Sequence, residues 1–224
     1  MKIVRRDSGA HPDDIFEIIK TFRYKRSFIN LVRQNFGSYA DRQLIYSAYD
    51  YQSGLFSGIN RESGGSYMNS HLVPVAVIMM KIVGCRDAEK IVAALGHDSI
   101  EDKKYVDFEL FSKMFTPGAA FIVQGVTKPE ENGLDKRSRE YSVKVVEKVK
   151  QFGQDCVELK CDADRLHNMI TLWGSIEKKK YKIWETEQYF LPMAKEFGFE
   201  SAELRRAIKY QRNLLQIDVD MYSR

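Results

Sequence analysis

Ile91-Val92-Ala93-Ala94-Leu95-Gly96-His97-Asp98-Ser99-Ile100-Glu101-Asp102 is an apolar run that ends in an imidazole followed by carboxylates. In a helix, side chains three and four apart share a face, so the spacing predicts His97 over Glu101 and Asp98 over Asp102. Asp98 also faces Glu101, and like charges so placed cost a helix roughly 0.2–0.5 kcal/mol per pair. A cation should offset that repulsion. Lys103 and Lys104 supply part of it, and adjacent His and Asp at the end of a buried run also suit a divalent metal, which accepts imidazole and carboxylate together. From these residues alone a solvated acidic helix end and a metal site fit equally well.

The rest of the chain sets the bounds. With 224 residues, 44% of them hydrophobic and 12% aromatic, it can bury a full core as one large domain or a domain with an appended piece. The net charge of +4, from 35 basic and 31 acidic residues, is too balanced to point to nucleic acid but favours an anionic ligand where the cations cluster. Cys85, Cys156 and Cys161 form no C-x-x-C pair and read as packing residues in a reducing compartment. The longest strongly apolar run, Leu72 to Met80, is far short of the roughly 20 residues of a membrane helix, and the N-terminus lacks a signal-peptide apolar region. The expectation is a soluble cytoplasmic protein with no membrane partner.

Apolar residues recur at helical spacing from Pro12 to Phe36, predicting one or two amphipathic helices, and again from Asp41 to Phe56. Arg23-Tyr24-Lys25-Arg26 mixes basic and aromatic residues, but a solvated helix face explains it without nucleic acid. Gly58 to Tyr67 is a loop whose glycines and serines let the backbone approach a ligand. Its Arg61 is a planar guanidinium able to fork onto phosphate or stack on a base, or simply a surface arginine. Asn69 or Ser70 is expected to cap a helix from His71 to Val83, with Pro74 in its first turn. His71 then stands at a helix start, structural unless a metal partner is found. Beyond the central stretch come a short segment from Val106 to Phe115, an apolar one from Ala119 to Val126, and a helix opened by Lys136, Arg137 and Arg139 that runs to about Phe152. From Lys178 onward, helices over about Lys180 to Phe197 and Ser201 to Asp218 read as scaffold. No stretch alternates like a strand, and the composition reads all-α.

Leu159 to Trp173 is the second informative stretch. At about 100° per residue, Asp164, Asn168 and Thr171 align with Lys160 at the edge, while Leu159, Leu166, Met169, Ile170 and Trp173 gather opposite. Short Asp, Asn and Thr suit a cavity wall better than an open surface. His167 points away from the stripe and reads as a packing histidine or a support for a ligand.

His71, His97-Asp98 and Asp164 follow the order H…HD…D, which resembles the ligand set of the HD-domain metal phosphohydrolases. His97-Asp98-Ser99-Ile100-Glu101-Asp102 is similar to the HDxxED motif, and Ala163-Asp164-Arg165-Leu166-His167-Asn168-Met169 to the ADRLHNM motif, of the RelA/SpoT-homologue alarmone hydrolases. Gly125-Val126-Thr127-Lys128 and Arg61-Glu62-Ser63-Gly64 resemble two further signatures. The resemblance spans roughly Asp41 to Gly198.

It implies a bundle of helices around one manganese ion (Mn2+) and removal of the 3'-pyrophosphate from guanosine tetra- and pentaphosphate. It also implies an N-terminal helical extension over 1–40, the hydrolase domain over 41–200 and a C-terminal helix over 201–224 packed on it. His71, His97, Asp98 and Asp164 would hold the metal, and Glu101 and Asp102 would handle water and protons. Arg61 would stack on the base, with Ser63, Lys160, Asn168 and Thr171 near the nucleotide. Lys128, Lys136, Arg137 and Lys160 are candidates to neutralise phosphate charge or are surface cations. As the chain ends soon after this region, the resemblance implies a stand-alone small alarmone hydrolase. The sequence departs from the family pattern at Glu62, which replaces a lysine, at Leu72, which replaces a proline, at Gly96, which replaces a leucine, and in an Arg61–His71 spacing one residue longer. The rival readings are an HD phosphohydrolase for deoxynucleotides, monophosphates or a phosphorylated dinucleotide cofactor, and a non-catalytic nucleotide sensor or antitoxin-like partner.

Overall fold

The computed structural model describes residues 9–216, and it is all-α. Among these residues the extended pairing is confined to one isolated antiparallel bridge between Asn60 and Ser66. Helices α1 (Pro12–Phe22), α2 (Lys25–Asn35) and α3 (Tyr39–Leu55) lead to the glycine-rich loop. Next, a widened turn over Met68–Leu72 runs directly into Val73–Lys81, together forming α4. Then follow α5 (Ala88–Gly96), α6 (Ser99–Asp102), α7 (Phe108–Met114), α8 (Pro117–Val126) and α9 (Arg139–Phe152). Three continuous segments, Gln154–Glu158, Leu159–Arg165 and Leu166–Ile170, make up α10. Helix α11 joins Ile176–Glu185, Thr186–Phe190 and Leu191–Glu196, and α12 is Ala202–Leu215. The part of the expected last helix beyond Gln216 lies outside the described residues.

The centre of the molecule is α5, which packs against α3, α4 and α8. Its residues Ile91 to Leu95 are fully buried, as are Leu72, Val73 and Val75 to Met79 of α4. Such all-round burial is why these two helices are apolar on every side instead of striped. Gly96 ends α5 where there is no room for a side chain: a Cβ there would lie 2.5 Å from Phe111 Cζ and 3.0 Å from Gln52 Nε2. Phe111 occupies the space that a side chain at this position would need. Gly125 is similar, its missing Cβ letting Phe152 and Cys156 close onto α8.

Several boundaries differ from the sequence reading. The helix expected to start at His71 begins at Tyr67. Its cap is Ser66, whose Oγ accepts from the Asn69 N–H at 3.3 Å, so His71 sits one turn inside. Pro74 is thus internal and removes a backbone donor, and the widened turn just before it relieves the clash a regular helix would meet. The same arrangement precedes Pro192 in α11. Lys136 and Arg137 lie in the loop before α9, which Ser138 caps. Trp173, expected on the core side, is 47% exposed because α10 ends at Ile170 and the chain turns outward.

Among the described residues no helix is long and apolar enough to cross a membrane. They contain no disulfide, and Cys156 and Cys161 are buried packing residues.

Candidate metal centre

Three helices deliver the central cluster. The widened turn of α4 presents His71, the end of α5 presents His97, and the widened turn of α10 presents Asp164. Such turns re-aim side chains that a regular helix would carry past the site, and they recur at functional positions. The helix predicted through Asp102 breaks at His97-Asp98, where Asp98 has φ −97° and ψ −1°, and restarts as α6. The break turns the Asp98 carboxylate onto the same point as the two imidazoles.

His71 Nε2 and His97 Nε2 lie 3.1 Å apart. Asp98 Oδ2 is 3.2 Å from each, and Asp164 Oδ1 is 3.7 and 3.8 Å from them. Donors bound at about 2.1 Å to one ion lie about 3.0–3.4 Å apart in octahedral or tetrahedral geometry, so the cluster matches that spacing with Asp164 slightly wide. The donor set also demands a cation. His97 Nδ1 donates to Ala94 O at 2.9 Å, which leaves a lone pair on Nε2. His71 Nδ1 is 3.0 Å from His167 Nδ1, so its Nε2 is likewise turned to the cluster. Two imidazole nitrogens and two carboxylates converging in a buried site need a shared positive charge. These residues fit a divalent metal.

The titration shifts express the same demand. Burial works against charge on His97, but the Asp98 and Asp164 carboxylates outweigh it and push its pKa up to about 9. Burial opposes ionisation of Asp164, yet Lys160 and the two imidazoles hold its carboxyl well below the usual range. Burial drives His167 down and keeps it neutral, as a ring hydrogen-bonded to a metal-facing histidine must be.

Around the ligands lies a supporting layer. Tyr67 donates to Asp98 Oδ2 at 2.7 Å, Lys160 Nζ sits 2.8 Å from Asp164 Oδ2, and Asn168 Nδ2 donates to Asp164 Oδ1 at 2.6 Å. Arg61, 107 residues away in sequence, donates to Asn168 Oδ1 at 2.5 Å and to Thr171 Oγ1 at 3.3 Å. The polar stripe read from the sequence is therefore a wall that Arg61 crosses. Above it opens a cavity of about 420 Å³ that reaches His71, Asp98 and Asp164.

Glu101 and Asp102 both line this cavity, in different states. Glu101 Oε1 is 2.5 Å from Lys128 Nζ, so it is tied to a cation instead of standing over His97. Asp102 forms no ion pair of that kind: desolvation at the cavity edge and the neighbouring Asp98 and Glu101 carboxylates raise its pKa to about 6, against the opposing pull of Lys128 and of a Tyr67 hydrogen bond. Ser63, Lys128 and Lys160 line the cavity as well. Arg137 is exposed and outside the lining, and Lys136 pairs with Glu131 at 2.7 Å on the surface.

Sequence reasoning missed Tyr67, Arg165, Trp173, Lys178 and Lys182 as parts of the site. The last two are one turn apart in the Lys178-Lys179-Lys180-Tyr181-Lys182 run of α11, a spacing that places both on one face. Read as scaffold, that face proves to be the far wall of the cavity.

Comparison with known proteins locates the same region. Residues 48–200 match the family model described as HD domain. The chain is 26% identical over 201 residues to a probable GTP diphosphokinase RSH3, chloroplastic, of Arabidopsis thaliana, covering 86% of this chain and 27% of that protein. It is 35% identical over 153 residues to a putative GTP diphosphokinase RSH1, chloroplastic, of the same plant, covering 64% and 17%. With a probable GTP pyrophosphokinase of Mycobacterium leprae it shares 28% over 173 residues, covering 77% and 21%. The chain thus spans about a quarter or less of the length of these relatives.

Proposed function

The chain belongs to the HD-domain family, and from that premise we propose that it is a manganese-dependent hydrolase that removes the 3'-pyrophosphate from guanosine tetra- and pentaphosphate. His71, His97, Asp98 and Asp164 would hold the ion. The observation that carries the reading is the convergence of two imidazoles and two carboxylates at the base of a cation-lined cavity. The two carboxylate donors, with no thiolate in the set, suit manganese. The relatives' names, which join GTP to diphosphate or pyrophosphate transfer, support a guanosine nucleotide carrying diphosphate.

When bound, the metal supplies Lewis acidity, polarising a phosphoryl oxygen and bringing the pKa of water towards neutrality. Asp102 takes the proton of the attacking water, its pKa of about 6 matching that task near neutral pH. The water oxygen bonds to the phosphorus attached to the 3'-oxygen, the P–O3' bond breaks, and the proton returns to O3' as pyrophosphate departs. Glu101, fixed by Lys128, sets its carboxylate beside Asp102 and is one of the causes that raise the pKa of Asp102. Arg61, held through both terminal nitrogens by Asn168 and Thr171, offers its planar face to the base. Lys128 lies where it can meet phosphate charge.

The test is product analysis with manganese and guanosine 3',5'-bis(diphosphate), separated by anion exchange. Pyrophosphate and guanosine 5'-diphosphate are expected. Orthophosphate alone would assign the chain to the phosphomonoesterase rivals, and no turnover with intact metal binding would favour a sensor.

A further inference from the structure

Asn168 stands between two functional side chains and is engaged at both ends of its amide. Its Oδ1 accepts from Arg61 Nη2 at 2.5 Å, and its Nδ2 donates to Asp164 Oδ1 at 2.6 Å. A guanidinium only donates and an ionised carboxylate only accepts, so the amide has one favourable orientation. Flipping it would set N–H against N–H and oxygen against oxygen. Each neighbour therefore fixes the amide for the other. The carboxylate oxygen involved is the one nearest the imidazoles, 3.7 and 3.8 Å from His71 and His97 Nε2, and its second lone pair remains for an ion. Lys160 holds the other oxygen, Asp164 Oδ2. The second tie of Arg61 leads elsewhere: Thr171 Oγ1, which accepts from Nη1, donates to the main-chain carbonyl of His167 at 2.8 Å. Arg61 depends on these ties, because it is half-buried in a loop whose residues Glu62 to Ser66 are exposed.

Resting on the nucleotide reading above for its consequence, we propose that Asn168 is a positioning residue that couples the metal ligands to the Arg61 base platform. An ion on Asp164 Oδ1 fixes the carboxylate, the carboxylate fixes the amide, and the amide fixes the plane of Arg61. Ordering already produced by one ligand need not be produced again by the other, so metal and nucleoside bind with positive cooperativity. Recognition of the nucleoside, and not only its turnover, then depends on metal occupancy.

The first test is a double-mutant cycle on manganese affinity, measured by calorimetric titration of protein stripped of metal: wild type, Arg61→Met, Asn168→Leu and the two combined. Loss of the Arg61 charge by itself favours the ion, but that through-space effect is present in both backgrounds and cancels. Arg61→Met should therefore weaken manganese binding at least about fivefold more in the wild-type background than beside Asn168→Leu, the lower end of the usual coupling between sites. Equal effects in the two backgrounds overturn the proposal, and Asn168→Ala completes the same cycle if leucine is not tolerated. The second test uses guanosine, which has no phosphate to touch the ion. Saturating manganese should tighten guanosine binding to the wild type by about fivefold or more, and saturating guanosine should tighten manganese by the same factor. Guanosine affinity that ignores the metal, or a coupling that persists in Asn168→Leu, overturns the assignment. If the wild type binds no guanosine with or without manganese, the base reading of Arg61 fails separately, and the manganese cycle alone decides the coupling.

Discussion

His167 Nδ1 lies 3.0 Å from His71 Nδ1, both rings buried, so the histidine that follows Asp164 by three residues on α10 orients a metal-facing histidine of α4. Replacing a partner that orients a ligand typically costs 10–100-fold in metal affinity. His167→Phe should weaken manganese binding by about that factor, measured by titration, while His167→Gln, which keeps a hydrogen-bonding group, should lose much less. Equal affinities for wild type and His167→Phe would show that packing alone sets the His71 ring.

One metal per chain is expected. His97→Ala and Asp164→Ala each remove a donor from the cluster, and elemental analysis should find the ion lost from both. Full retention in both variants would sink the ligand assignment.

Glu101→Gln with Asp102→Asn should leave manganese and nucleotide binding nearly intact and reduce turnover about 10²- to 10⁴-fold, the usual contribution of a positioned proton acceptor. Because Lys128 already ties Glu101, Asp102→Asn alone should account for most of the loss. A larger effect from Glu101→Gln alone would reverse their roles.

Glu185 also predicts acid sensitivity. Burial alone would raise its pKa, but Arg165 and Lys182 outweigh burial and lower it from 4.5 to about 2. Between those values the unfolded chain binds more protons, so stability rises with pH across the window and is lost as pH falls from 4.5 towards 2. The shift corresponds to about 3 kcal/mol at most. Urea denaturation at pH 3 and pH 5 should show a smaller difference for Glu185→Gln than for the wild type.

Gly96→Leu, which restores the family residue, should destabilise by about 1–3 kcal/mol because the new side chain meets the ring of Phe111. An unchanged urea midpoint would mean that Phe111 moves aside without cost.

Much of the helical pattern was legible from local signals, and His71, His97, Asp98 and Asp164 were singled out as candidate metal ligands by their resemblance to the HD-domain pattern. Apolar residues at helical spacing mark a buried face, as in α1, α9 and α12, while the unbroken apolar runs of α4 and α5 mark helices buried on every side. His97-Asp98 and the Asp164-Asn168-Thr171 stripe stood out because their polar groups interrupt or oppose an apolar run within a single helix. What spacing cannot carry is the register between helices. The break at Asp98, the capture of Glu101 by Lys128, Arg61 bridging to Asn168 and the pairing of Lys182 with Glu185 beside Arg165 all depend on how separate helices pack. A cation 107 residues away leaves no periodic trace at its partner. By itself the sequence determined where most of the helices form and, through its resemblance to a family pattern, a candidate set of metal ligands. The tertiary structure alone decided which of those polar groups neutralise one another and which stay turned to the cavity, because Coulomb and hydrogen-bond energies depend on distances that only packing sets.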